Sequence, residues 1–185
     1  MLNRLITILE TQNFSLDQNL IDAFNTNVNP KDAIYSITQI IFENNQITHP
    51  ARAKCHEELI NISKQKKCIF SIAHNLNLSS RVYAVLGDNE KAIRNDLEAL
   101  KLWKTLKFDS LAINGEISSY ANLGNVYIDL GLYKKSLDYF QVGLKKLKKC
   151  KDDLIPYIRI HLGLGNVYNR LKRYKKAETF FIKAF

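Results

Sequence analysis

The chain has 185 residues, of which 46% are hydrophobic and 24% are charged, and its formal net charge is +9. This composition is globular and excludes wholesale disorder, and 7 Gly and 3 Pro are too few for a β-sandwich or barrel with many tight turns. No stretch approaches the ~20 consecutive apolar residues of a membrane span, and the apolar run near the N-terminus is too short for a secretory signal. Three widely spaced cysteines without a C-x-x-C pair favour reduced thiols. We therefore expect a soluble, cytoplasmic and mainly helical protein.

Residues 1–68 are predicted to form an N-terminal helical region that contains one degenerate repeat. A step of 41 residues aligns three of its positions with the segment that follows: Phe42 with Tyr83, Ala51 with Ala92 and Leu59 with Leu100. Few other positions agree, so the repeat is weak in this region.

Three clearer repeats are predicted over residues 69–185, at about 69–109, 110–151 and 152–185, the last of them truncated. The phrase LGNVYIDLGLYKKSLDYF at 123–140 returns as LGNVYNRLKRYKKAETFF at 164–181, an offset of 41 residues. A weaker form, RVYAVLGDNEKAI, begins at Arg81 and is offset by 44 residues from the first phrase. Self-similarity at a fixed period is the sequence signature of a repeat architecture.

Each repeat is predicted to be a hairpin of two antiparallel helices. Apolar residues recur at three- and four-residue steps along both halves of one repeat: Tyr120, Leu123, Tyr127 and Leu130 in the first half, and Leu137, Phe140, Leu144 and Leu147 in the second. Gly131 lies between the halves and can end the first helix in a left-handed conformation. Turns are therefore expected near 87–88, 131–132 and 172–173. A hairpin with one apolar face must bury that face against its neighbours.

The pattern resembles the tetratricopeptide repeat, in which L-G-x-x-Y on the first helix precedes a small residue, an aromatic residue and a second small residue. Two repeats fill these places in full: Leu123, Gly124, Tyr127, Ser136, Phe140 and Gly143, and then Leu164, Gly165, Tyr168, Ala177, Phe181 and Ala184. The resemblance implies an all-α, right-handed superhelical solenoid of antiparallel helical hairpins. It also implies equivalent buried sites for Tyr83, Tyr127 and Tyr168. In the earliest clear repeat, Ser80 and Asp96 replace the glycine and the aromatic residue.

The period of 41–44 residues is longer than the ~34 residues usual for this family. Long-period repeats of this kind resemble those of bacterial regulators, where they precede GGDEF cyclase domains, histidine kinases and transcription factors. The resemblance therefore implies a non-catalytic module that binds a protein or peptide. It further implies that this module is the N-terminal sensory or docking part of a larger bacterial signalling protein.

No signature of an enzyme, a cofactor or a metal site is found in the sequence. The four histidines lie far apart, and none pairs with a second His or Cys at metal-ligand spacing on one helix face. The glycines of LGLG at 162–165 fall inside a helical pattern, whereas a phosphate-binding loop follows a strand. We expect no catalytic residue and no cofactor in this chain.

The resemblance implies that the first helices of the repeats line a concave groove. The residues expected to face it flank the Tyr–Gly stripe: Asn77, Arg81, Asn122, Asn125, Asp129, Arg159, Asn166, Asn169 and Arg170. Asn125 and Asn166 hold the same place in L-G-N-V-Y, and a side-chain amide both donates and accepts a hydrogen bond. Such amides can pair with the backbone of an extended peptide without reading its sequence. The alternative is that they only meet solvent, and the sequence leaves both interpretations open.

The positive charge is concentrated at residues 134–185, which hold 14 Lys and Arg against 4 Asp and Glu. A basic face is predicted on the second helices and the turn that follows: Lys145, Lys146, Lys148, Lys149, Arg173, Lys175 and Lys176. A solvated convex surface is one interpretation of this face. Binding of nucleic acid or of an acidic partner through it is the alternative function.

The C-terminal sequence ETFFIKAF is apolar where a solenoid needs a polar end surface. Phe180 and Phe185 have no expected partner within the chain. We therefore expect self-association through this helix, and a natural protein that continues with further repeats or an output domain.

Overall fold

The computed structural model describes residues 2–26, 30–106, 110–148 and 154–185. Within these ranges it contains ten α-helices and no strand. The helices are α1 (Asn3–Glu10), α2 (Gln18–Asn25), α3 (Pro30–Glu43), α4 (His49–Gln65), α5 (Ile69–Val85), α6 (Asn89–Thr105), α7 (Ser110–Asp129), α8 (Tyr133–Leu147), α9 (Leu154–Arg170) and α10 (Tyr174–Ala184). The predicted all-α fold of helical hairpins is confirmed.

The chain divides into two compact units, Met1–Glu98 and Ala99–Phe185, called here the N-terminal and the C-terminal unit. In the N-terminal unit, α4 packs on α1, α3 and α5, and buried apolar residues such as Leu5, Ile37 and Leu59 form the core. The division falls inside α6. The boundaries of the three predicted repeats stay a prediction.

The C-terminal unit consists mainly of two stacked hairpins, α7–α8 and α9–α10. Helix α9 packs on both helices of the preceding hairpin. The shared core contains Ile117, Phe140, Ile160 and Leu164, which come from α7, α8 and α9. Each hairpin therefore buries its apolar face against its neighbour, as a helical repeat requires.

The three predicted turns are confirmed, and they close in the same way. One backbone hydrogen bond of 2.8 or 2.9 Å spans each turn, from Asp88 N–H to Tyr83 C=O, from Leu132 N–H to Tyr127 C=O and from Arg173 N–H to Tyr168 C=O. This closure requires a left-handed residue just after the helix, which glycine adopts without strain. Gly87 and Gly131 have φ values of 81° and 72°, and Lys172 takes the same place with φ 57°.

The expectation that three tyrosines occupy equivalent buried sites is wrong for two of them. Tyr83 is 8% exposed, whereas Tyr127 and Tyr168 are only half-buried. Tyr127 stacks on Tyr139, with ring centroids 5.4 Å apart and planes 7° from parallel. Tyr168 stacks on Phe180 at the same distance and at 6°. These two tyrosines therefore belong to aromatic pairs beside the core rather than at its centre.

A lysine eight residues after each of these tyrosines lies over its ring. The ammonium nitrogens of Lys91, Lys135 and Lys176 are 4.4, 5.3 and 5.6 Å from the ring centroids of Tyr83, Tyr127 and Tyr168. A cation over an aromatic face is attracted by the negative potential of the ring. Part of the lysine content therefore supports the hairpins themselves.

The aromatic residue at the centre of the C-terminal core is Phe140, which is 0% exposed. Its ring lies between Gly124 of its own hairpin and Gly163 of α9. A Cβ atom at either glycine would come within 2.6 Å or 2.1 Å of the ring, which is closer than atoms can pack. The two glycines therefore provide the space that the phenyl ring fills.

In the α5–α6 hairpin a hydrogen-bonded polar group replaces this aromatic contact. Asp96, at the place of Phe140, is fully buried. Its carboxylate accepts hydrogen bonds from Asn77 Nδ2 at 2.7 Å and from the hydroxyl of Ser80, which stands at the place of Gly124. The two departures noted in the sequence are thus partners, because the hydroxyl of one satisfies the carboxylate of the other.

Two histidines in the N-terminal unit have buried ring nitrogens. Thr38 of α3, His56 of α4 and Asn75 of α5 form a buried hydrogen-bonded group, in which His56 Nδ1 lies 3.0 Å from Asn75 Oδ1. The Nε2 atoms of His56 and His74 are buried without a hydrogen-bond partner. Burial lowers the pKa of His56 to about 4, helped by the nearby charges of Arg52 and His74, and burial lowers the pKa of His74 to about 4.

The protein is therefore expected to lose stability in mild acid. In the unfolded chain both imidazoles have a pKa of about 6.5, so the unfolded state binds protons that the native state excludes. The free energy of unfolding should be highest above pH 6.5 and should fall as the pH decreases towards 4. The expected loss is about 2 kcal/mol for each histidine at pH 5.

Urea denaturation at pH 7 and pH 5 measures this loss. Replacing His74 with Phe keeps a ring between Tyr35 and Phe70, whose centroids lie 5.1 and 6.1 Å from that of His74. This variant should lose about half of the pH dependence. An unchanged difference between the two pH values would show that His74 is not responsible.

Candidate functional site

A polar groove runs between α7 and α9, the first helices of the two hairpins in the C-terminal unit. It encloses about 410 Å³ and is lined by Asn125, Ile128, Asp129, Asn166, Asn169 and Arg170. Five of these six residues are among the expected groove residues. Ile128 was missed, because an isoleucine beside an apolar stripe is normally assigned to the core.

The repeat itself places these side chains on one surface. Asn125, Ile128 and Asp129 stand at i, i+3 and i+4 of α7, and three- and four-residue steps lie on one face of a helix. The positions 41 residues later, Asn166, Asn169 and Arg170, repeat the pattern on α9. Apart from Ile128, all of them are exposed.

The groove combines neutral hydrogen-bonding groups with one charge of each sign. Three asparagine amides supply both donors and acceptors. Asp129 contributes a carboxylate on the α7 side, and Arg170 a guanidinium on the α9 side. A surface of this kind suits a ligand that carries many backbone-like amide groups.

Two of the expected groove residues in the C-terminal unit hold helices together instead. Arg159 of α9 donates a hydrogen bond to the amide oxygen of Asn122 on α7. Asn122 is buried and Arg159 is half-buried. The expectation that Asn122 faces a groove is therefore wrong, because its amide lies in the contact between α7 and α9.

The two upstream residues, Asn77 and Arg81, belong to the N-terminal unit. Asn77 is 4% exposed and donates to Asp96, so the expectation that it is open to a ligand is also wrong. The guanidinium of Arg81 lies 4.6 Å from the ring centroid of Phe42. Burial lowers the pKa of Arg81, and the charge of Asp96 acts in the opposite direction.

The predicted basic face is smaller than the sequence suggested. Four of its members are exposed: Lys145, Lys148, Arg173 and Lys175. Lys146 forms an ion pair with Glu116 of α7, whose side chain is 9% exposed, so Lys146 is not an outward charge as predicted. Lys176 is exposed, and its ammonium lies over Tyr168. Lys149 lies outside the described residues.

A second groove lies in the N-terminal unit, and the sequence gave no sign of it. It encloses about 390 Å³ and is lined by Arg4, Ile8, Lys54, Glu57, Glu58 and Asn61 of α1 and α4. Several of its charges pair with each other or with neighbours: Arg4 Nε lies 3.7 Å from Glu58 Oε2, and Lys91 Nζ lies 3.6 Å from Glu57 Oε1. These pairs join helices.

Metal and membrane sites were sought in the described ranges. There, no group of three or more His, Cys, Asp or Glu residues is placed to hold a metal ion. None of the helices in the same ranges is both long enough and apolar enough to cross a bilayer.

A family model for the tetratricopeptide repeat matches residues 117–145 and 158–185. These two segments are therefore tetratricopeptide repeats, and the family resemblance is confirmed there. They correspond to the α7–α8 and α9–α10 hairpins, which build the groove and the Phe140 contact. No curated protein matches the chain. Repeats of this family serve protein interaction, so the class of function defined by the fold is that of a protein-interaction module.

Proposed function

We propose that the chain is a non-catalytic module that binds an extended protein segment in the groove between α7 and α9. One observation carries this proposal. The same polar residue, at the same place of two consecutive tetratricopeptide repeats, lines one groove: Asn125 on α7 and Asn166 on α9.

The spacing of the two amides fits an extended backbone. Packed helices lie 8–10 Å apart, and three residues of extended chain cover about 10 Å. An amide on each helix can then donate to one backbone carbonyl of the ligand and accept from one backbone N–H. The ligand is thereby held through groups that every peptide has.

The charged residues give this backbone recognition a direction. Arg170 attracts an acidic side chain or a terminal carboxylate of the ligand, and Asp129 attracts a basic one. Ile128 offers an apolar contact between them. The preferred ligand is thus an extended segment with side chains of opposite charge on its two halves.

Replacing both Asn125 and Asn166 with Ala should weaken peptide binding by about tenfold or more, which corresponds to ~1.4 kcal/mol or more. The probe is a peptide selected on the wild-type protein from a random display library. Its Kd is measured by fluorescence anisotropy for the wild type and for the variant. The melting temperature should stay nearly unchanged, because both side chains are exposed.

A matched variant replaces two exposed asparagines of the N-terminal unit, Asn25 and Asn45, with Ala. It should bind the peptide as the wild type does. Equal affinities for all three proteins would refute the groove as the binding site. A loss of affinity together with a large fall in melting temperature would assign the two asparagines a structural role.

Salt separates this function from binding of nucleic acid through the basic face. Phosphate-driven binding falls steeply between 50 and 200 mM salt, whereas hydrogen bonding in a groove with one charge of each sign changes little. We also infer from the long repeat period that the module serves in the cytoplasm as the docking part of a larger bacterial regulatory protein. A GGDEF domain is one example of the output that such a module precedes.

A further inference from the structure

The contact between α8 and α9 shows how one hairpin covers the next. Phe140 is seated on Gly163 of α9, and Leu144, one turn further along α8, packs into the same core cluster as Ile160 and Leu164 of α9. The contact thus needs a small residue opposite the aromatic ring and apolar residues opposite the leucine.

Helix α10 carries the equivalent residues 41 positions later. Phe181 packs on Gly165 as Phe140 packs on Gly124. Beyond this contact the two helices differ: Phe181 is partly exposed, and Phe185, at the place of Leu144, is 101% exposed. Ile182 is 70% exposed. Phe181, Ile182 and Phe185 are called here the exposed α10 face.

Phe180 does not belong to this face. The sequence predicted that it has no partner within the chain, and this is wrong. Its ring stacks on Tyr168 and lies 6.1 Å from the ring of His161. The apolar surface open to a partner is therefore centred on Phe185.

We propose that the exposed α10 face docks one α-helix of another protein in the register in which α9 docks on α8. The partner helix has a small residue opposite Phe181 and apolar residues opposite Phe185. This surface is separate from the groove, so the inference does not depend on the proposed function.

Charge selects between a second copy of this chain and a different partner. Residues 134–185 hold 14 Lys and Arg against 4 Asp and Glu, so two such regions repel each other. Lys175 and Lys183 are exposed on α10 itself. The partner helix is therefore amphipathic and acidic, and the self-association expected from the sequence is the competing outcome.

A peptide made from α9 tests the register and the charge together. The probe has the sequence of residues 154–173 with Arg170, Lys172 and Arg173 changed to Glu. It should bind the protein, and the unmodified sequence should bind at least tenfold more weakly because it is basic. A third peptide, with Gly163→Leu added to the acidic probe, should also lose at least tenfold, because its side chain meets the ring of Phe181.

Two protein variants show where the acidic probe binds. Phe185→Ser should reduce affinity at least tenfold, and it should fold normally because the ring makes no buried contact. Val142→Ser, an exposed apolar residue of α8, should bind as the wild type does. Failure of the acidic probe to bind at ~1 mM, or equal affinity of Phe185→Ser and wild type, would overturn the proposal. Sedimentation that shows a dimer abolished by Phe185→Ser would overturn the acidic partner in favour of a second copy.

Discussion

Replacing Phe140 with Ala is expected to lower the free energy of unfolding of the C-terminal unit by ~3–5 kcal/mol. The phenyl ring is fully buried and fills the space between Gly124 and Gly163. Neither glycine has a side chain that can move into the vacated volume. The loss therefore includes both the transfer of the ring to water and an uncollapsed cavity. Chemical denaturation followed by circular dichroism measures the effect.

Tyr127 provides the matched control. It is the tyrosine of the repeat pattern, but it is only half-buried, so Tyr127→Ala should cost less, about 1–2 kcal/mol. If Tyr127→Ala cost more than Phe140→Ala, the centre of the C-terminal core would lie at the tyrosine, against the packing described above.

Replacing Asp96 with Ala should cost ~2–4 kcal/mol in the N-terminal unit. The substitution removes the acceptor of the hydrogen bonds from Asn77 and Ser80, both of which are buried. Buried donors that lose an acceptor carry their full desolvation cost. The same denaturation measurement applies, with Glu98→Ala on the exposed side of α6 as a control that should change little.

A transplant from the later repeat tests whether the polar group stands in for an aromatic contact. Ala121, Gly124 and Phe140 are the residues 44 positions after Asn77, Ser80 and Asp96. Asn77→Ala, Ser80→Gly and Asp96→Phe together should therefore be more stable than Asp96→Phe alone, since the triple variant removes the polar partners and makes room for the ring. A triple variant less stable than Asp96→Phe alone would contradict the equivalence of the two hairpins.

The hairpins and turns follow from local rules that the sequence states openly. Gly87 and Gly131 mark left-handed turn positions, and apolar residues at three- and four-residue steps mark helices. Lys172 takes the same conformation without being a glycine, and the repeat offset still located its turn. Elements of this kind are predictable because their cause lies within a few residues.

The pairs that join different helices were not predictable in the same way. Lys146 was assigned to the surface because it lies in a lysine run, but Glu116, 30 residues earlier, draws it inward. Phe180 was assigned to an open end, although Tyr139 at the 41-residue offset already pairs with Tyr127. The repeat contained the second signal, and following the aromatic positions as well as the L-G-N-V-Y phrase would have found it.

The candidate groove was largely predictable because it is a property of the repeat. Asn125 and Asn166 share a place in the phrase, and helical geometry puts their neighbours at i+3 and i+4 beside them. Asn122 failed for a tertiary reason, since Arg159 of the adjacent helix binds its amide.

Photo-cross-linking from the groove tests the proposed peptide site most directly. A benzophenone amino acid replaces exposed Asp129 in the groove or, as the control, exposed Val142 on α8. The probe is the peptide selected on the wild-type protein. The account predicts a cross-link from position 129, none from position 142, and loss of the first when Asn125 and Asn166 are both Ala. A cross-link from position 142, or one from position 129 that persists in the double variant, would contradict it.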